Sequence, residues 1–164
     1  MQKLLVIGLI ALVVPATALS RSQPPPPNGT LSIREGRGMV QVNARGSITG
    51  RLNGKITITD FNPYDSKRPV VYGSKTTVYR GDKITVYRGS NVRFRAIGSR
   101  FKVKLEGKAI FMSAIGRGDG LLDGSGDAQA NIYYDGVWSL NDEPYHSLPD
   151  DPTAFELAGP PPTG

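Results

Sequence analysis

The sequence has no cysteine and a single histidine, and these two absences exclude several kinds of protein. Without cysteine, the chain has no disulfide scaffold, thiol nucleophile, cysteine-ligated zinc or lipidated cysteine anchor. One histidine also excludes a metal site built from several histidines. We therefore expect the fold to be held together by its hydrophobic core alone, and we expect no cofactor.

Long apolar runs are also scarce, because the sequence has only one, at the N-terminus. Leu4 to Val14 follow the basic Lys3 and precede the small-residue cleavage pattern Ala16-Thr17-Ala18. This run is shorter than the ~20 residues that cross a bilayer, so it predicts a cleaved signal peptide over residues 1–18. An uncleaved N-terminal anchor is the alternative. Cleavage predicts a protein that is secreted or held in the extracytoplasmic cell envelope, without a transmembrane span.

Proline is rare between the two ends of the chain. Runs of proline at Pro24 to Pro27 and at Pro160 to Pro162 predict stiff, extended segments. The two prolines within Phe61 to Pro69 predict a loop. The predicted organisation is a signal peptide at 1–18, a Pro-rich linker at 19–29, a β domain at 30–158 whose acidic part at 119–152 is partly irregular, and a Pro-rich tail at 159–164.

Glycine, by contrast, recurs at intervals of eight or nine residues in two series, Gly38 to Gly54 and Gly73 to Gly124. Between the glycines, apolar and polar residues alternate. This pattern predicts an all-β fold with little or no helix, in which an antiparallel meander of short strands turns at the glycines and closes into a sandwich or barrel. The predicted core consists of Val40, Val42, Ile48, Ile56, Ile58, Val78, Ile84, Val86, Phe94, Phe101, Val103, Ile110 and Met112.

The lengths of the predicted turns set the pairing of the strands. A two-residue turn at Gly98-Ser99 pairs Phe94 with Val103, and it places Arg93 opposite Lys104 on the outer face. Like charges that face each other across strands cost a few tenths of a kcal/mol to ~1 kcal/mol per pair. A sheet face that keeps them is well solvated, covered by an acidic segment, or used to bind an anion.

Charge is divided unevenly along the chain. Thr30 to Gly118 contain 18 Lys and Arg against 5 Asp and Glu, whereas Asp119 to Gly164 contain 9 Asp and Glu and no Lys or Arg. A separation of charge this sharp favours docking to a partner of opposite sign. The candidate binding face consists of Lys83, Arg93, Arg95, Arg100, Lys102 and Lys104.

Three interpretations of this basic face remain open. Its side chains are solvated and serve solubility, the acidic stretch 119–156 covers it, or it binds a polyanion. The last predicts an exported, non-catalytic β-domain that binds an anionic polymer or another envelope component, such as a wall polymer or lipid head groups; nucleic acid is not the expected ligand. The alternative is a structural protein of the envelope that self-associates through surfaces of opposite charge. Tyr72, Tyr79 and Tyr87 lie near predicted turns, where tyrosines can stack on sugars or bases.

Residues suited to catalysis or metal binding are few. His146 is the one conventional general base, and Ser147 follows it, but sequence neighbours rarely present a base and a nucleophile to each other. Asp119, Asp123 and Asp127 are candidate calcium ligands, although they lack the alternating spacing of a calcium loop. We therefore expect no enzyme and no metal, with a hydrolase or a calcium-binding domain as the remaining alternative.

Three short segments resemble uncharacterised small exported all-β proteins of actinobacteria. The segments are Val92 to Arg95, Ser113 to Gly118 and Pro152 to Phe155, and the resemblance spans residues 30–157. Because these segments are strand and turn motifs, the resemblance implies an envelope or extracellular setting but no activity or ligand. It also implies that Thr153 to Leu157 form a last strand of the folded domain.

Overall fold

The computed structural model describes residues 27–125 and 135–160, which form seven β-strands and no helix. This confirms the predicted all-β class. The predicted signal peptide, most of the linker, the end of the tail and the candidate ligand Asp127 lie outside the described residues. The strands are β1 (Gly29–Asp60), β2 (Val70–Tyr72), β3 (Thr76–Arg80), β4 (Ile84–Gly124), β5 (Val137–Leu140), β6 (His146–Ser147) and β7 (Thr153–Leu157).

All seven strands belong to one antiparallel sheet that is built around β1 and β4, the two longest strands. The strands β2, β3 and β7 pair with β4, whereas β5 pairs with β1 and in turn carries β6. Within residues 27–125 and 135–160, no ladder connects β2 or β3 directly to β5, β6 or β7. The sheet is therefore not closed into a barrel, and that part of the prediction is wrong.

Over much of its length, β1 pairs with β4 along both of its edges. Val103 of β4 also has β1 on both sides, since it lies opposite Val42 on one side and Ile58 on the other. Neighbouring strands are ~4.8 Å apart, so Val42 and Ile58 are roughly 10 Å from each other, whereas a straight strand between them would span about 50 Å. Both long strands must therefore bend and wind back, so that each passes the other more than once.

Glycine marks the bends in these long strands. Gly54 of β1 and Gly107 of β4 lie opposite each other with φ angles of 152° and 151°. A Cβ on either residue would collide with a carbonyl oxygen of the facing strand, so glycine alone permits both this backbone conformation and this close approach. Most of the regularly spaced glycines thus lie within two continuous strands, so the predicted meander with a turn at each glycine is wrong. Gly73 and Gly81 are the exceptions, because they lie between strands, and the predicted turn at Gly81 is confirmed.

The continuous strands also change which residues are paired. Phe94 lies opposite Gly50 of β1 and not opposite Val103, because residues 98–99 continue β4 and make no hairpin turn. The predicted loop from Phe61 to Pro69 is confirmed, since no strand occurs in it.

The inward-facing side chains form one hydrophobic core. All the predicted core residues belong to this core except Val78 and Ile84, which are not buried, and Val86, which is buried outside the core cluster. These exceptions arise at a bulge, where residues 90–91 of β4 lie opposite the single residue Asn53 of β1. An extra residue reverses which side chains face the core, so Tyr87 packs against the core while Val78 is left exposed.

The strand β7 completes the core from the C-terminal end. It pairs with β4 at residues 118–122 and contributes the buried side chains Phe155 and Leu157. The last strand that the resemblance implied for Thr153 to Leu157 is therefore confirmed.

Candidate functional site

The predicted basic face does not form one surface. Arg93 lies opposite Arg51, whereas Lys104, on the same strand β4, lies between Gln41 and Thr57 of β1. The predicted pairing of Arg93 with Lys104 is wrong, because it required a hairpin that β4 does not make. The cations of β4 therefore belong to two separate regions of the sheet.

The first region, around Arg100, Lys102 and Lys104, is called here the lysine surface. Lys104 forms an ion pair with Glu106 at 3.4 Å, and Glu106 forms a second ion pair with Lys55 at 2.6 Å. Partial burial alone would raise the pKa of Glu106, but the hydrogen bond from Lys55 and the charge of Lys104 outweigh it and lower this pKa. The Glu106 carboxylate thus neutralises part of the lysine surface at neutral pH.

Other carboxylates border the lysine surface on the neighbouring strand. Asn43 pairs with Lys102 on one side and Asp119 on the other, and its Nδ2 donates a hydrogen bond of 3.0 Å to Asp119 Oδ1. Asp119 pairs in turn with Glu156 of β7. Arg100 Nε donates to Asn43 Oδ1 over 3.3 Å, which ties this arginine to the same row. The acidic C-terminal part of the chain therefore lies beside the lysine surface.

Lys83, also predicted as part of the basic face, lies in the turn between β3 and β4. Its carbonyl oxygen accepts a hydrogen bond of 2.8 Å from the backbone N–H of Asp60. Its side chain lines a cavity together with Asp82 and Tyr64. The structure thus distributes the six predicted residues among three places.

The second region is a groove of about 740 Å³ whose lining, among the described residues, contains arginines and no Asp or Glu. Arg51 and Arg93 lie directly opposite each other on β1 and β4. Tyr72 lies beyond Arg93 in the same row, and Phe111 lies beyond Arg51. The exposed cations of this region, called here the arginine groove, are Arg34, Arg51, Arg93 and Arg95.

Aromatic rings hold two of these arginines. The guanidinium carbon of Arg51 lies 4.4 Å from the ring centre of Phe111, and that of Arg34 lies 4.4 Å from the ring centre of Tyr145. The Tyr145 hydroxyl is in turn 3.0 Å from Ser32 Oγ. Such contacts at exposed sites are worth ~0.5–1 kcal/mol and restrict the guanidinium, while a ring does not occupy its in-plane N–H donors. These donors remain available to an external acceptor.

No carboxylate forms an ion pair with the four arginines of the groove within the described part of the chain. Asp142 and Glu143 line a separate cavity of about 300 Å³ that shares Ser32 and Ser113 with the groove. Opposed like charges such as Arg51 and Arg93 cost ~0.2–1 kcal/mol. Chemically, the groove can bind an anion whose paired oxygens match the forked donors of guanidinium groups.

Arg93 and Arg95 were predicted from the sequence, whereas Arg34 and Arg51 were missed. A signal for Arg51 exists, because it occupies an outward position in the alternating pattern of β1. The residue opposite Arg51, however, depends on how β1 pairs with β4, and the predicted hairpin turns gave the wrong pairing. Arg34 follows the buried Leu31 and Ile33 in an outward position, but the φ angle of 55° at Glu35 breaks the alternation after it, so the pattern does not link Arg34 to the rest of β1.

The candidate catalytic pair does not come together. His146 and Ser147 form the short strand β6, which pairs with β5. Neighbouring residues of a strand point to opposite sides, so these two side chains do not face each other. The His146 ring instead lies 6.3 Å from the ring of Trp138.

The candidate calcium ligands are likewise not assembled in the described ranges. Asp119 accepts its hydrogen bond from Asn43, and Asp123 lies opposite Met39. Among residues 27–125 and 135–160, no group of three or more His, Asp or Glu side chains could hold a metal ion.

In the described part of the chain, no helix is long and apolar enough to cross a membrane. Comparison of the chain with protein-family models, with curated proteins and with solved structures found no match.

Proposed function

We propose that this protein is a non-catalytic binding module that holds an anionic polymer in the arginine groove. The observation that carries this proposal is the gathering of four exposed arginines in one groove whose described lining residues include no carboxylate. The two central arginines, Arg51 and Arg93, face each other across the strands despite their repulsion. A bound polyanion would turn that repulsion into a favourable interaction.

The spacing of the arginines suits a chain that carries many anionic groups. Arg51 and Arg93 are neighbours across strands, where Cβ atoms are ~5 Å apart, and Arg95 follows Arg93 by ~7 Å along β4. Tyr72, which is 67% exposed, adds a flat surface at the end of the row. A polymer that contacts several arginines at once releases its counterions, so its binding depends steeply on salt.

The proposed setting is extracytoplasmic. The predicted signal peptide over residues 1–18 supports it, as does the resemblance to exported proteins. Wall polymers and lipid head groups supply phosphate and carboxylate groups in that setting. The alternative function, assembly through opposite charges, has less support, because Asp119 and Glu156 already lie in the same row of the sheet as Lys102, beyond Asn43.

Salt-dependent binding to inorganic polyphosphate and to heparin tests the proposal. The double variant Arg51→Gln/Arg93→Gln removes two charges from the groove, and the control Lys102→Gln/Lys104→Gln removes two from the lysine surface. We expect the first to weaken binding about tenfold or more and to lower the slope of log K against log salt by about 1.4. The control changes affinity by about threefold at most.

Equal losses in the two double variants would contradict the proposal, because they would show a response to net charge alone. Absence of binding by the unmodified protein would contradict it as well. Self-association of the polymer-free protein that disappears at high salt, measured by sedimentation velocity, would favour the assembly alternative.

We further infer that the wound sheet packs as a sandwich of two facing layers. The double pairing of Val103 with Val42 and Ile58 supports this, as does the single core that collects side chains from all parts of β1 and β4. Facing sheets pack ~10 Å apart. A crystal structure with two layers at that distance is the expected result, and an open single layer would contradict it.

A further inference from the structure

A second cavity, of about 390 Å³, lies where the end of β1 meets β3 and the start of β4, and it shares no described lining residue with the arginine groove. Its floor includes Ile58, Thr85 and Tyr79, which are neighbours in one row across β1, β4 and β3. Because Ile58 is a core residue, this row belongs to the inner face of the sheet. The loop that follows β1 forms the wall of the cavity through Tyr64 and Arg68.

The wall is fixed to the floor by hydrogen bonds. The Tyr64 hydroxyl donates to Asp82 Oδ2 over 2.9 Å, which ties the loop to the turn between β3 and β4. This bond and the negative charge of Asp82 raise the pKa of Tyr64, so the hydroxyl keeps its proton at neutral pH. At the base of the loop, the backbone N–H of Asn62 donates to Asp60 Oδ1 over 2.9 Å. The cavity is therefore pre-formed.

Asp60 is the unusual residue of this cavity. Its side chain lines the cavity and the residue is only 7% exposed, yet no cation forms an ion pair with it in the described part of the chain. Its Oδ1 accepts the bond from Asn62, whereas its Oδ2 has no hydrogen-bond donor among the described residues. Among the described residues no buried side-chain oxygen lacks a partner, so this unbonded oxygen is open to the solvent of the cavity, where a ligand hydroxyl can donate to it.

The remaining groups restrict the chemistry of such a ligand. The cavity carries two carboxylates, Asp60 and Asp82, and two cations, Arg68 and Lys83, so neither an anion nor a cation meets an unopposed charge there. The ring of Tyr79 is 75% exposed and offers a flat apolar surface. A cyclic polyol satisfies both features, because its hydroxyls donate to carboxylates while its C–H face packs on an aromatic ring.

We propose that this cavity is a binding site for one neutral pyranose ring of an oligosaccharide. A sugar hydroxyl donates to the free oxygen of Asp60, and the ring packs on Tyr79. The volume lies within the range of ~300–1,000 Å³ that small-molecule sites occupy. This site does not depend on the arginine groove, since the two cavities share no lining residue.

Titration calorimetry of the full chain with maltohexaose, cellohexaose, xylohexaose and mannohexaose tests the proposal. We expect saturable binding of at least one of them. Tyr79→Ala and Asp60→Asn weaken that binding about tenfold or more, because the first removes the ring and the second removes the carboxylate charge. Tyr72→Ala is the matched control, since it removes an exposed tyrosine from the arginine groove, and it leaves sugar binding unchanged.

Asn at position 60 retains an oxygen that can accept the bond from Asn62, and circular dichroism confirms that each variant is folded. Failure of all four sugars to bind the unmodified protein would overturn the proposal. Equal affinity of Tyr79→Ala and the unmodified protein would overturn it too. Heparin binding stays unchanged in Tyr79→Ala, which separates this site from the polyanion site.

Discussion

The arginine groove and the lysine surface carry charge of the same sign, but they differ in what lies beside that charge. On the lysine surface, Glu106 pairs with Lys104, and Asp119 lies two strands from Lys102, on the far side of Asn43. In the groove, Arg51 and Arg93 face each other, and no carboxylate lines it in the part of the chain that the structure describes. The positions of the acidic residues, more than the number of basic ones, therefore distinguish the proposed binding surface from the lysine surface.

Arg100 of the lysine surface also lies on an aromatic ring, with its guanidinium carbon 5.0 Å from the ring centre of Phe61, but the two regions differ in how their other cations are held. The guanidinium groups of Arg34 and Arg51 lie on aromatic rings, which restrict them without using their donors. The ammonium group of Lys104 is held by a carboxylate, which uses its charge. Pre-organised cations that remain unneutralised reduce the entropy lost on binding a polymer.

Introducing a carboxylate into the groove should make it resemble the lysine surface. The resulting loss of affinity for polyphosphate is the largest of the expected effects. Thr49 lies between Arg95 and Ser113. We expect Thr49→Glu to lower the affinity for polyphosphate about tenfold, because the new carboxylate pairs with the arginines.

A matched substitution exists on the lysine surface, since Thr57 lies opposite Lys104. Thr57→Glu should change the polyphosphate affinity by about twofold at most, because that surface already contains Glu106. Fluorescence anisotropy with labelled polyphosphate measures both. The comparison fails if Thr49→Glu binds as well as the unmodified protein.

Removing a single charge should change the stability in opposite directions in the two regions. Arg93→Gln relieves the repulsion from Arg51, so the free energy of unfolding should rise by a few tenths of a kcal/mol to ~1 kcal/mol. Lys104→Gln removes an exposed ion pair, so the free energy of unfolding should fall by ~0.2–1 kcal/mol in this variant. Urea denaturation measures both. A loss of stability in Arg93→Gln that matches that of Lys104→Gln would contradict the account.

The smallest expected effect is the loss of stability in acid that results from protonation of Glu106 on the lysine surface. The pKa of Glu106 is lowered in the folded protein, so its contribution to stability is complete above the ordinary value of 4.5 and is lost as the pH falls through the lower, folded value. The loss should stay below ~1 kcal/mol because the pair is partly exposed. Urea denaturation at several pH values should therefore show a smaller acid loss in Glu106→Gln than in the unmodified protein, and identical pH profiles would contradict this.

Much of the fold could be predicted because the alternation of apolar and polar residues along a strand shows which side of that strand is buried. Alternation in β1 correctly placed residues such as Val42 and Ile58 in the core. Pairing could not be predicted in the same way, because a glycine at a bend and a glycine at a hairpin turn look alike in sequence. Gly54 is the clearest example, since close packing against Gly107 requires it, and no turn is present.

This ambiguity affected the prediction of the candidate site more than the prediction of the core. Opposed cations were expected at Arg93, and they do occur, but the partner is Arg51 and not Lys104. Which residues share a row depends on contacts between parts of the chain that are distant in sequence. The local pattern does not record such contacts.

Nuclear magnetic resonance of the unmodified, ¹⁵N-labelled protein tests the central claim most directly. Titration with polyphosphate should shift the side-chain Nε–H signals of Arg51 and Arg93 together with those of Arg34 and Arg95, and it should leave the backbone amide signals of Lys102 and Lys104 in place. Larger shifts at Lys102 and Lys104 than at the arginines of the groove would contradict the account.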